Sequence, residues 1–169
     1  MNYTPWTAAA DPTWAASAVP GLHVRDLRNC IASRLHTLRP MNFLLEERPG
    51  EAWRSLSWQR LKRMIARAVA SCLCSMGCKV YLADLHGGEP SEGLGGKDID
   101  LILDCTSIVD IALLEQLVEG ITASWLLEGL GGDPYLFLGI PNVIELHDTS
   151  EFLFRKYVEA GPPYVFPLC

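Results

Sequence analysis

The chain has 169 residues, enough for one ordinary domain with its own apolar core. Hydrophobic residues make up 49% and charged residues 20%, which excludes a largely disordered chain. The formal net charge of −6 argues against a protein that coats nucleic acid by bulk electrostatics, even though every Lys and Arg except Lys97, Arg155 and Lys156 lies between Arg25 and Lys79.

Residues 1–21 are rich in Ala, Pro and Trp without a sustained period and read as an arm, with Trp6 and Trp14 as anchors. Leu27, Ile31, Leu35 and Leu38 then recur at helical spacing until Pro40 stops the run. Residues 42–45 read as extended, and Pro49-Gly50 as a loop. The clearest helix follows, with Ser57 as N-cap, Trp58, Leu61, Ile65, Val69, Cys72 and Met76 on one face, and Gly77 as its stop. Arg60, Arg63 and Arg67 fall off that face and are expected in solvent.

A strand over 79–85 runs into Gly87-Gly88, a polar glycine-rich loop covers 89–97, and a second strand spans 98–103. A long helix over 107–130 ends at Gly131-Gly132. Strand candidates at 135–138 and 142–146, a short helix over 150–159 and an apolar tail at 164–168 complete the chain. The tail is expected to dock on the domain or on a second subunit. This order predicts an α+β fold, a mixed sheet covered by helices. It forms one compact domain, with residues 1–56 as an arm and helical extension and 57–169 as the main body.

The start of the chain lacks a basic stretch followed by an apolar run, and no apolar run reaches the roughly 18 residues of a spanning helix. A cytoplasmic protein with no membrane partner is therefore expected. Cys72, Cys74 and Cys78 have no zinc spacing, so the six cysteines are read as buried or free thiols, with disulfides an option for a hyperthermophile source.

The chemistry is concentrated in Leu85-His86-Gly87-Gly88, a nine-residue spacer, and Asp98-Ile99-Asp100-Leu101. Residues i and i+2 of a strand share a side, so Asp98 and Asp100 present two carboxylates together while Ile99 and Leu101 face the core. Adjacent carboxylates repel, and a hard divalent cation resolves the conflict. Gly87 and Gly88 let phosphate oxygens approach the backbone, and Ser91 or Lys97 can add contacts. The loop is no Walker A motif, because Ser91 stands at the first glycine position and Asp98 follows the lysine.

Gly-Gly, the spacer and Asp-Ile-Asp resemble the signature of the DNA polymerase β-type nucleotidyltransferase superfamily, over about residues 57–146. The resemblance implies a nucleotidyltransferase fold and transfer of a nucleoside monophosphate from a nucleoside triphosphate to an acceptor hydroxyl. The cofactor would be Mg2+, or Mn2+ in its place. It also implies a third carboxylate from a later strand; Glu145 in Val143-Ile144-Glu145-Leu146 fits best, ahead of Asp148 and Asp104. Asp98, Asp100 and Glu145 would bind metal and carry catalysis, and Gly87, Gly88, Ser91 and Lys97 would bind nucleotide.

The small size is similar to that of minimal prokaryotic nucleotidyltransferases, some of which pair with a helical HEPN toxin. The second implied reading is therefore an inactive antitoxin or regulatory subunit covering such a protein partner. A homo-oligomer is compatible with either reading, and nucleic acid is expected only as an acceptor. His86 and His147 are read first as structural, and as phosphate or substrate contacts second.

Overall fold

The computed structural model describes residues 24–86, 89–90, 96–106 and 109–169. It is an α+β fold built on a four-stranded mixed sheet. Helix α1 (Val24–His36) and the short α2 (Met41–Leu44) precede a 3-10 turn at Ala52–Arg54 and helix α3 (Leu56–Cys74). Strand β1 (Cys78–Ala83), the small hairpin β2 (Leu85–His86) and β3 (Glu89–Pro90), and strand β4 (Ile99–Cys105) follow. Helices α4 (Ile111–Leu130) and α5 (Pro134–Leu138), strand β5 (Ile144–Asp148), helix α6 (Phe152–Ala160) and strand β6 (Val165–Pro167) complete the order.

The sheet runs β5-β4-β1-β6, with β4 antiparallel to β1 and parallel to β5. Alternation along the strands divides their side chains between two cores. Ile99, Leu101, Leu103, Ile144 and Leu146 point into the large core under α3 and α4, and α1 closes that core from outside with Leu27, Ile31 and Leu35. The helical part of the expected N-terminal extension thus belongs to the main core. Ile102, Ala83 and Val165 point to the other face, where α6 lays Phe154 and Tyr157. Asp100, Glu145 and His147 share that second face by the same alternation.

The apolar tail pairs with β1 as β6, matching Tyr81–Pro167 through Ala83–Val165. Arg60, Arg63 and Arg67 are exposed on α3 as expected.

Several expectations are corrected. Helix α3 is capped by Ser55, whose Oγ accepts from Trp58 N at 3.0 Å, and Ser57 lies inside the first turn. Residues 42–44 belong to α2 and Leu45 caps its end: Pro40 has helical φ and ψ and opens the helix, a position where its missing N–H is harmless. Residues 135–138 are helix α5, because Asp133 accepts from Tyr135 N at 2.9 Å, Pro134 takes the first turn and Gly139 ends it with φ +76°. A Cβ at Gly139 would run into Gly50 O, so this stop doubles as a close approach of two loops. Strand β5 sits later than 142–146, at Ile144–Asp148, and Asp98 stands one residue ahead of β4.

The cysteines are the largest correction. None is free: Cys30 pairs with Cys72, Cys74 with Cys169, and Cys78 with Cys105. These bonds tie α1 to α3, the C-terminus to the end of α3, and β1 to β4. Thiols facing each other in the folded chain, such as directly opposed Cys78 and Cys105, are placed by tertiary pairing that spacing alone does not reveal.

Candidate metal centre

The parallel register of β4 and β5 sets Asp100 beside Glu145 and Ile102 beside His147. One ligand atom from each of Asp100, Glu145 and His147 lies within 4.8 Å of the other two, so these three residues can hold a metal ion. Asp100 is 6% exposed, and its Oδ1 is 2.8 Å from His147 Nε2. The imidazole is stacked on Phe154 at 4.2 Å between centroids, which fixes its plane. Asn142 Nδ2 donates to Glu145 Oε1 at 3.0 Å.

Asp98 adjoins this group. Burial, then Asp100 and Glu145, push its carboxyl from an ordinary 3.8 to about 7, while Lys62 opposes the rise. His147 is pushed up as well: burial pulls it down, but the bond to Asp100 and the charges of Asp100, Glu145 and Glu115 outweigh that. The carboxylates are thus crowded by like charge, the condition that a bound cation relieves. The donors suit a divalent ion: two carboxylates supply hard oxygen, and one imidazole supplies nitrogen.

Strand β5 is held in place along its outer edge. Val143 N and Ile144 N donate to Glu119 Oε1 and Oε2 at 2.8 Å each, and Leu146 N donates to Glu115 Oε2 at 2.8 Å. Tyr135 Oη donates to Glu119 Oε1 at 2.9 Å. Two α4 carboxylates therefore satisfy the N–H groups that an edge strand leaves unpaired, and this fixes the strand that carries Glu145 and His147. Burial pushes the Glu115 carboxyl up, partly offset by the Leu146 N–H.

Of the acids expected at the site, Asp100 and Glu145 belong to the group, while Asp98 is near enough to feel their charge but is not among the three residues whose ligand atoms come together. Lys97 does not turn to them: its Nζ lies 4.9 Å from the Trp53 ring centroid. Asp104 is exposed near the far end of β4, and Asp148 accepts from Ser150 N at 3.1 Å. Gly87, Gly88 and Ser91 lie outside the described residues. His147 gains a direct place in the group, two residues along β5 from Glu145. Lys62 is an unexpected neighbour, and its signal was a lysine on the apolar stripe between Trp58 and Ala66.

A pH dependence follows. Asp98 and His147 both hold their protons more tightly folded than unfolded, so the folded chain binds more protons and stability falls as pH rises. For Asp98 the contribution is complete below its unfolded value of 3.8 and is lost as pH rises through about 7. With a discount for partial exposure, metal-free protein at pH 8 should be about 1–2 kcal/mol less stable than at pH 5. Thermal melts in EDTA measure this, and a higher melting temperature at pH 8 than at pH 5 contradicts it.

Among the described residues, no helix is long and apolar enough to cross a membrane. The chain matches no family model, no curated protein and no solved structure.

Proposed function

We propose that the chain is a divalent-cation-dependent nucleotidyltransferase of the polymerase β type. The observation that carries the reading is the register that sets Glu145 of β5 against Asp100 of β4, with Asp98 two residues ahead of Asp100. The sequence resemblance asks for a pair of acids on one strand and a third from a later strand, and this register supports that arrangement.

In this reading an acceptor hydroxyl forms a bond to the α-phosphorus of a nucleoside triphosphate, and the bond to the bridging oxygen of the β-phosphate breaks to release pyrophosphate. Glu145 takes the hydroxyl proton. Asp98, Asp100 and Glu145 hold cations, which supply charge neutralisation for the triphosphate and the leaving group. Before an ion binds, His147 Nε2 pairs with Asp100 at 2.8 Å; at the cation the deprotonated imidazole exchanges that contact for a place among the donors. Gly87 and Gly88 shape the triphosphate turn. Because an imidazole joins the carboxylates, Mn2+ fits the donor set better than Mg2+.

Isothermal titration with ATP, CTP, GTP and UTP, each with Mn2+ or Mg2+, tests the reading. At least one nucleotide should bind only when a cation is present. If none binds under either metal, the reading fails. Cation-dependent binding without transfer to any acceptor would leave the regulatory subunit as the better reading.

A further inference from the structure

Strand β6 has little to anchor it by itself. Of Val165, Phe166 and Pro167 only Val165 is buried, and the proline has no N–H to give to a ladder. Asp84 N donates to Tyr164 O at 2.7 Å and Leu168 N to Val80 O at 2.8 Å, at either end of the pairing with β1. One residue past Leu168, the Cys74–Cys169 bond ties this segment to the end of α3. What β6 covers is the second core. Val165 packs there with Phe154 and Tyr157 of α6, and Phe154 stacks on His147 of the candidate metal centre.

The three disulfides differ in access. Cys169 is exposed and Cys74 half-buried, whereas each of the other two bonds has a buried half, Cys72 in one and Cys78 in the other. Thiol–disulfide exchange needs a thiolate to reach a sulfur, so access ranks the bonds. A segment with one buried side chain and few hydrogen bonds opens at the low end of the local free-energy range once its covalent tie is cut.

We propose that the Cys74–Cys169 bond is a redox latch: a dithiol opens it ahead of the other two, β6 leaves β1, and α6 loses the Val165 side of its packing and its hold on His147. One thiolate of the dithiol attacks Cys169 Sγ and forms a mixed disulfide, while the Cys74–Cys169 bond breaks with its electron pair on Cys74 Sγ, which takes up a proton. The second thiolate then attacks the dithiol's own sulfur in the mixed disulfide. That bond breaks with its pair on Cys169 Sγ, which is protonated in turn, and the dithiol leaves as a disulfide, oxidised by two electrons. The effect on His147 rests on the metal-centre reading above; release of β6 does not.

The test is stepwise reduction of the full oxidised chain with dithiothreitol, with freed thiols alkylated and mapped by mass spectrometry. Cys74 and Cys169 should be labelled first. In that partly reduced chain the Asp84 and Leu168 amides should exchange hydrogen at least about 30-fold faster than before, while β4 amides such as Ile99 stay at least about 100-fold better protected than these two. Cys74→Ser/Cys169→Ser should show the same pattern without reductant and bind Mn2+ about tenfold more weakly than the oxidised wild type by calorimetry. Labelling of another pair first overturns the proposal. So does β6 keeping its protection, or β4 losing protection together with β6, because the bond is then a staple of the whole fold; these readouts on the wild type decide the matter even if the double variant does not fold. Released β6 with unchanged Mn2+ affinity overturns the link to His147. If the oxidised chain binds no Mn2+ at all, the metal centre is wrong, and the exchange pattern still decides the latch.

Discussion

Replacing Asp100 by Asn should weaken Mn2+ binding by at least about 100-fold, because loss of a direct ligand exceeds the roughly 10–100-fold effect of removing an outer partner. Asp100 is the hub of the group: it lies beside Glu145 across the β4–β5 ladder and within 2.8 Å of His147 Nε2. Asn keeps the shape and a carbonyl oxygen but loses the charge that attracts the cation. Stability should change little, since the substitution also removes like charge from a crowded cluster that includes Asp98 and Glu145.

A second readout separates loss of a ligand from misfolding. With the Asp100 carboxylate gone, burial should dominate at His147 and bring its pKa below the wild-type value, reversing part of the present rise. Proton NMR of the imidazole ring in the folded variant reports this directly. An Asp100→Asn protein that binds Mn2+ within threefold of wild type would remove the metal centre from consideration.

Asp100 and Glu145 were legible because a strand has a period of two. Asp98-Ile99-Asp100 announces two carboxylates on one side, and Val143-Ile144-Glu145-Leu146 announces a third among apolar neighbours. The same period, carried two residues further to His147, places an imidazole on the Glu145 face. Lys62, Glu115 and Glu119 were not legible in this way. Their roles depend on which backbone atoms α3 and α4 meet, Gly96 O for Lys62 and the N–H groups of β5 for the two glutamates. Helix periodicity says only which face each residue occupies.

The long helices were likewise readable from apolar spacing, whereas short apolar runs were not. Tyr-Leu-Phe-Leu at 135–138 has a strand-like composition, yet Asp133-Pro134 before it and Gly139 after it are start and stop signals for one helical turn. Pro40 misled in the same direction: a proline that ends one helix can begin the next. Local chemistry at the ends of a run outweighed composition within it.

Reducing all three disulfides should have the largest effect on stability. They close segments of 42, 95 and 27 residues. Restricting the unfolded chain across loops of that length contributes about 2–4 kcal/mol per bond. The Cys78–Cys105 loop is nested within the Cys74–Cys169 loop, so the contributions do not simply add; a combined loss of about 6–10 kcal/mol rivals the whole stability of a typical domain. The reduced chain should therefore melt at least about 15 °C lower, or unfold at 25 °C, with thiol titration confirming that all six sulfurs are free. Cys78 and Cys105 face each other at one end of the β1–β4 ladder, and Ala83 faces Asp100 at the other. Consequently, a Cys78→Ala/Cys105→Ala protein that remains folded should keep Mn2+ affinity within about threefold while losing about 2–4 kcal/mol of stability. If full reduction shifts the melting temperature by less than about 3 °C, the bonds are not what holds α1, α3, β1 and the C-terminus together, and the apolar cores carry the fold alone.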